Sequence, residues 1–107
     1  MQNINAQHLQ QWLTDDSRVA PLLLDVREPW EYQIAHISGA HLMPMHTVPS
    51  QLDELDAQAE IVVICHHGVR SAQIARFLEH SGFEHVYNLQ GGVDAWAQSV
   101  DKNMPTY

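Results

Sequence analysis

Apolar residues along this chain fall in short continuous runs, separated by polar stretches of about helical length. "PLLLDV" (21–26) and "EIVVIC" (60–65) do not alternate apolar with polar positions. That is the pattern of strands buried on both faces, as in a parallel sheet covered by helices on each side. "AHLM" (40–43) and "HVYNL" (85–89) read as shorter strands, and "NIN" (3–5) as a possible edge strand. Leu9, Trp12 and Leu13 stand at helical spacing, as do Ile74, Phe77 and Leu78, with Gly82 placed to stop the second helix. "TVPSQLDELD" (47–56) sets a Pro near a helix start with Leu52 and Leu55 on one face, and "VDAWAQ" (93–98) reads as a last helix after a Gly91-Gly92 turn. Strands joined by helix-length crossovers predict a single α/β domain over residues 1–107, a parallel sheet of about five strands with helices on both faces. In such sheets ligands lie beyond the carboxyl ends of the strands. The segment His66–Val69, the pair Arg27–Glu28 and Gly91-Gly92 all fall at such ends.

Composition narrows the function classes. Thirteen acidic residues against five basic ones give a formal charge of −8, which disfavours nucleic acid and anionic membranes as partners. An anion site would have to be made locally. No apolar run approaches the ~20 residues of a membrane span, and the first residues lack the basic and apolar regions of a secretory signal. A single cysteine excludes an internal disulfide and fits a reducing compartment. The expected protein is soluble and cytoplasmic.

That cysteine, Cys65, ends the strand at 60–65 and opens "CHHGVRS". A turn from strand into helix can aim successive backbone N–H groups inward as an anion-binding nest, reinforced by the helix N-terminus. Gly68 lets the backbone curl, and Arg70 adds a permanent cation with a fork of donors. The same groups favour a thiolate at Cys65, and His66 and His67 would add to the effect if protonated. Ser71 is expected to cap the helix, or else to offer its hydroxyl to the bound group. Without those neighbours a lone cysteine at a strand end is more often a buried, inert small hydrophobe.

Cysteine phosphatases also set a thiolate and an arginine around an anion-cradling loop, with five residues between them. Here four intervene, His66, His67, Gly68 and Val69, so the ring of amides is smaller and suits a single sulfur atom on the thiol. Adjacent histidines point apart on most backbones, and no further ligand completes a tetrahedral set, so no metal site is expected. His8, His36, His41, His46, His80 and His85 are scattered. Asp25 and Arg27 read as a structural ion pair; Trp30, Tyr32 and Trp96 read as core or cover.

Three segments in order, "LLLDVREPWEYQIAHISGA", "CHHGVRS" and "VYNLQGGVDAW", resemble the signatures of the rhodanese family of thiosulfate and related sulfurtransferases. Together they span nearly the whole chain. The resemblance implies that Cys65 is the sulfur-carrying nucleophile and that the loop residues His66, His67, Gly68, Val69 and Arg70, with Ser71, bind the transferred sulfur. It implies a small-molecule donor (thiosulfate or a persulfide), an acceptor that is a thiol, cyanide or protein thiol, and no cofactor. Where the family usually has Gly-His-Ile this chain has Ala35-His36-Ile37. The loop and the tail "MPTY" also resemble rhodanese modules fused to activating enzymes of ubiquitin-like proteins. Two other readings remain: a non-catalytic binding or regulatory module of the same fold, and a phosphatase or arsenate reductase.

Overall fold

The computed structural model describes residues 1–107. Five strands form one sheet: β1 (Gln2–Ile4), β2 (Leu22–Asp25), β3 (His41–Leu42), β4 (Ile61–Ile64) and β5 (Val86–Leu89). Their spatial order is β1-β5-β4-β2-β3 and every pairing is parallel. The helices are α1 (Ala6–Leu13), α2 (Pro29–Ile34), α3 (Val69–His80) and α4 (Gly92–Ser99). β4 lies at the centre, and its side chains alternate between two buried clusters. Ile61, Val63 and Cys65 join Ile74, Ala75 and Leu78 of α3, while Val62 and Ile64 join Leu9 and Trp12 of α1 and Trp96 of α4. Both faces of the sheet are therefore covered, as the uninterrupted apolar runs require.

Three elements differ from the sequence pattern. Residues Met45–Glu54 form a 3-10 stretch rather than an α-helix. Pro49 lies inside it without an N–H to give, and Gln51 is non-helical at φ −120°. Leu52 and Leu55 still reach the core. Asn5 is not in a strand; it caps α1, accepting the His8 N–H at 2.8 Å. Helix α2 has no apolar stripe to announce it and is held instead by polar ends. Pro29 begins it and a capping box joins Glu28 to Glu31.

The buried face of α2 is a carboxylate. Glu31, 3% exposed, grips the Arg70 fork of α3 through both oxygens, at 2.7 and 2.9 Å. The Glu28 N–H and the Tyr107 hydroxyl each add a hydrogen bond at 2.9 Å, so all four lone-pair directions are used. Arg70 above all holds the Glu31 carboxyl down, from 4.5 to about 2. A depressed folded-state pKa means the clamp contributes fully above about pH 4.5 and is lost as pH falls towards 2. Glu31→Gln should lower stability in urea at neutral pH, and its gap from wild type should narrow on acidification through this window. A gap that stays constant down to about pH 3 would show that the carboxylate's charge is not the source.

Candidate active site

β4 delivers Cys65 to the carboxyl edge of the sheet, and the chain turns there into α3 within four residues. Gly68 makes this turn at φ +101°, a conformation that favours glycine. A side chain there would also press on the Gly91 nitrogen, 3.1 Å from the position its Cβ would take. The loop is fastened from outside by α4: the Val93 N–H donates to the Cys65 carbonyl at 2.9 Å and the Asp94 N–H to that of His66 at 3.1 Å. Gly92 permits this approach, because a Cβ on it would lie 2.3 Å from the Cys65 carbonyl oxygen.

In a trans peptide the N–H points opposite to the C=O. With the Cys65 and His66 carbonyls turned to α4, the N–H groups of His66 and His67 face away from it and donate to no protein acceptor; neither do those of Val69 and Arg70. The Gly68 N–H does have a partner, the Cys65 sulfur at 3.0 Å. These amides and the first turn of α3 make a curl of free N–H groups, a nest in geometry.

Cys65 is buried, 1% exposed. Its Sγ lies 3.2 Å from the Ser71 hydroxyl, which in turn donates to the Asn88 side-chain carbonyl. Ser71 is inside α3, not at its cap, which is Gly68. Its hydroxyl is therefore free of capping and is aimed at the sulfur. Asn88 is oriented by its amide, which donates to Asn3 and to the Gly68 carbonyl. Ser71 has one proton to give: a neutral thiol can donate to the hydroxyl while Ser71 bonds Asn88, and a thiolate can receive the Ser71 proton instead.

Arg70 was expected to turn its fork of donors to the sulfur donor's negative charge. Its fork is instead occupied by Glu31. His66 and His67 were expected to point apart, yet their rings pack at 3.8 Å, and His66 stacks at 3.9 Å on Tyr107. Burial, then the neighbouring His67, pushes the His66 pKa down, favouring the neutral ring. His67 is exposed and lies 4.0 Å from Asp94. Donor atoms of His66, His67 and Asp94 gather within 4.8 Å of one another, a set of three with no fourth protein ligand. Val69 projects outward, 68% exposed, and contributes its backbone rather than its side chain. Asp25 and Arg27 form the structural ion pair expected of them, at 2.7 Å and wholly buried. Ala35, in the place of a family glycine, has an extended backbone that any residue adopts.

Glu31, Asn88 and Tyr107 complete the site without having been singled out as site residues from the sequence. Asn88 had a signal, an amide within an otherwise apolar strand, and Glu31 had the capping-box spacing to Glu28. Tyr107 had none beyond the tail motif, because its contacts with Arg27 and Glu31 span 80 and 76 residues.

A rhodanese-like domain model matches residues 5–99. A sulfurtransferase of Allochromatium vinosum is 37% identical over 95 residues, covering 89% of this chain and 87% of that protein. The probable adenylyltransferase/sulfurtransferase MoeZ of Mycobacterium tuberculosis is 37% identical over 106 residues; these cover 97% of this chain but only 26% of MoeZ. The chain thus spans about a quarter of that relative's length. Among solved structures, a rhodanese-like domain protein from Staphylococcus aureus superposes with a TM-score of 0.85 at 29% identity, covering 100% of this chain and 99% of that one. With the nest around Cys65 and these matches over most of its length, the chain belongs to the rhodanese-like domain family.

Proposed function

We propose that this domain is a sulfurtransferase that carries sulfane sulfur on Cys65 as a persulfide. The observation that carries the reading is the setting of the sulfur: one N–H already on Sγ, a serine hydroxyl facing it, and unspent amides around it. A thiolate and a persulfide anion need the same donors, so one nest serves both halves of the cycle.

In the first half-reaction the Cys65 thiolate attacks the outer sulfur of a donor, thiosulfate or a persulfide. The new S–S bond forms as the donor's own S–S bond breaks, and sulfite or a thiolate leaves with the electron pair. In the second, a thiophilic acceptor (a thiol, a protein thiol, or cyanide in an assay) attacks the outer sulfur and Cys65 leaves as thiolate. Ser71 donates to the sulfur whenever it is negative, and the Gly68 N–H holds it throughout. His66, His67, Val69 and Arg70 supply main-chain N–H groups to the outer sulfur. No helix is long and apolar enough to cross a membrane, and an unpaired reactive thiol suits the cytoplasm.

Retention of the nucleophile favours an enzyme over a binding module of the same fold. The phosphatase alternative would need Arg70 to grip a phosphate, and Arg70 is held by Glu31. Steady-state assays with a sulfane-sulfur donor and cyanide, run beside an aryl phosphate, separate the readings. Turnover of sulfur with parallel double-reciprocal lines and no phosphate release is expected. Cys65→Ala should abolish turnover, and undiminished activity in that variant would refute the assignment. Ser71→Ala should lower kcat about tenfold or more by removing a donor to the anionic sulfur, with little change in the folded far-ultraviolet spectrum. Wild-type kcat in Ser71→Ala would remove the hydroxyl from the mechanism.

A further inference from the structure

The guanidinium groups of Arg27 and Arg70 are both spent. Arg27 is wholly buried and gives its donors to Asp25, the carbonyls of Glu31 and Ala35, and the Tyr107 hydroxyl. Arg70 is clasped end-on by Glu31. Glu31 cannot turn away without stranding hydrogen bonds to Glu28 and Tyr107, and its carboxylate is itself buried. Asp94 stands beside the loop as a further carboxylate, and His66 is pushed towards its neutral form. Arg27 and Arg70 are thus each matched by a carboxylate, and Asp94 adds another beside the loop, in a chain that is already strongly acidic. What remains for an anion is the backbone: local N–H groups sufficient for one sulfur, with no uncompensated side-chain cation beyond it.

The rim has a different character. Trp30 is 59% exposed and meets the Tyr107 ring edge-on, Tyr107 stacks on His66, and His66 packs on His67. An unbroken series of aromatic rings therefore runs alongside the loop. Such a surface favours contact with an organic group over a small, strongly hydrated dianion.

Resting on the sulfurtransferase reading, we infer that Glu31 determines the donor class: by neutralising Arg70 it directs Cys65 to take sulfur from persulfides of organic thiols rather than from thiosulfate. The charge accounting of the two reactions explains the discrimination. Attack of the thiolate on thiosulfate gathers three negative charges within a few bonds, and all three remain in the products, the Cys65 persulfide anion and sulfite. Attack on a protonated persulfide, RS–SH, gathers one. The Cys65–S bond forms, the RS–S bond breaks, and the thiolate that leaves takes the electron pair; the proton stays on the Cys65 persulfide or passes to the departing thiolate. Only the first reaction needs a free cation at the mouth. Glu31 touches neither donor in this account and is a positioning residue, acting through Arg70.

The test compares kcat/KM for thiosulfate with that for 2-hydroxyethyl persulfide, whose organic head is uncharged. Intrinsic reactivities of the donors differ, so the readout is the change in this ratio between proteins. Glu31→Gln frees the Arg70 charge and should raise the thiosulfate-to-persulfide ratio about tenfold or more. The double variant Glu31→Gln/Arg70→Gln keeps the local charge balanced with neutral amides of similar shape, and should return the ratio to within about threefold of wild type. It also serves if the single variant is poorly folded. A Glu31→Gln ratio equal to wild type overturns the inference, as does a double variant whose ratio falls about tenfold, because Arg70 would then be holding thiosulfate despite Glu31. A wild-type protein that takes sulfur from neither donor overturns the sulfurtransferase reading itself, and the donor inference with it. Loading from both donors with an unchanged ratio leaves the sulfurtransferase reading intact and removes only the inference.

Discussion

A carboxylate taken out of water organises the front of this molecule. Glu31 is buried at the carboxyl edge of the sheet, where an ionised group is costly unless every lone pair is met. Arg70, Glu28 and Tyr107 meet them, and those three partners come from α3, from the start of α2 and from the distal tail. One desolvated charge thereby fixes the position of a helix that has no apolar stripe, the start of the helix that follows Cys65, and the last residue of the chain. Removing any one partner would leave the others facing an incompletely bonded anion. The ion pair is thus more a device for holding one geometry than a source of net stability.

The active loop is constrained from the opposite side. The N-terminus of α4 spends its free N–H groups on the carbonyls of Cys65 and His66, with Gly92 allowing backbone to lie against backbone. A helix start would ordinarily serve as an anion site itself. Here it turns the loop carbonyls outward, and the N–H groups of the following residues are left without a protein acceptor. The loop around Cys65 is therefore bounded by two helix starts: that of α3 begins at Gly68 beside the sulfur and that of α4 holds the loop in shape. Asn88 ties the arrangement to the sheet by reaching both Ser71 and the Gly68 carbonyl.

The parts legible in the sequence are those governed by local rules. Four β-branched residues before Cys65 announce a two-faced buried strand, and alternation of strands and helices announces a parallel sheet. Gly68 and Gly82 mark turns that favour positive φ, both observed. What escaped depends on pairings between distant segments. Nothing adjacent to Arg70 says that its fork is already taken by a residue 39 positions away. Of the two roles the sequence left open for Ser71, a cap or a hydroxyl turned to the site, the helix start at Gly68 removes the first, and the hydroxyl lies beside the sulfur. The adjacent histidines were expected to diverge; Tyr107, arriving from the tail, supplies a flat surface for His66, and His67 packs on His66 in turn. The 3-10 stretch at Met45–Glu54 escaped for a local reason, since Pro49 lies in its middle and not in its first turn.

Sulfur held covalently at Cys65 between two half-reactions is the central step of the proposed cycle. The most direct test is the mass of the intact protein, and of its Cys65 peptide, after exposure to a persulfide donor and removal of excess reagent. A single added sulfur atom is expected on the Cys65 peptide, lost as thiocyanate on adding cyanide with return of the original mass. Turnover that proceeds with no added sulfur on that peptide, or with the sulfur elsewhere, would contradict it.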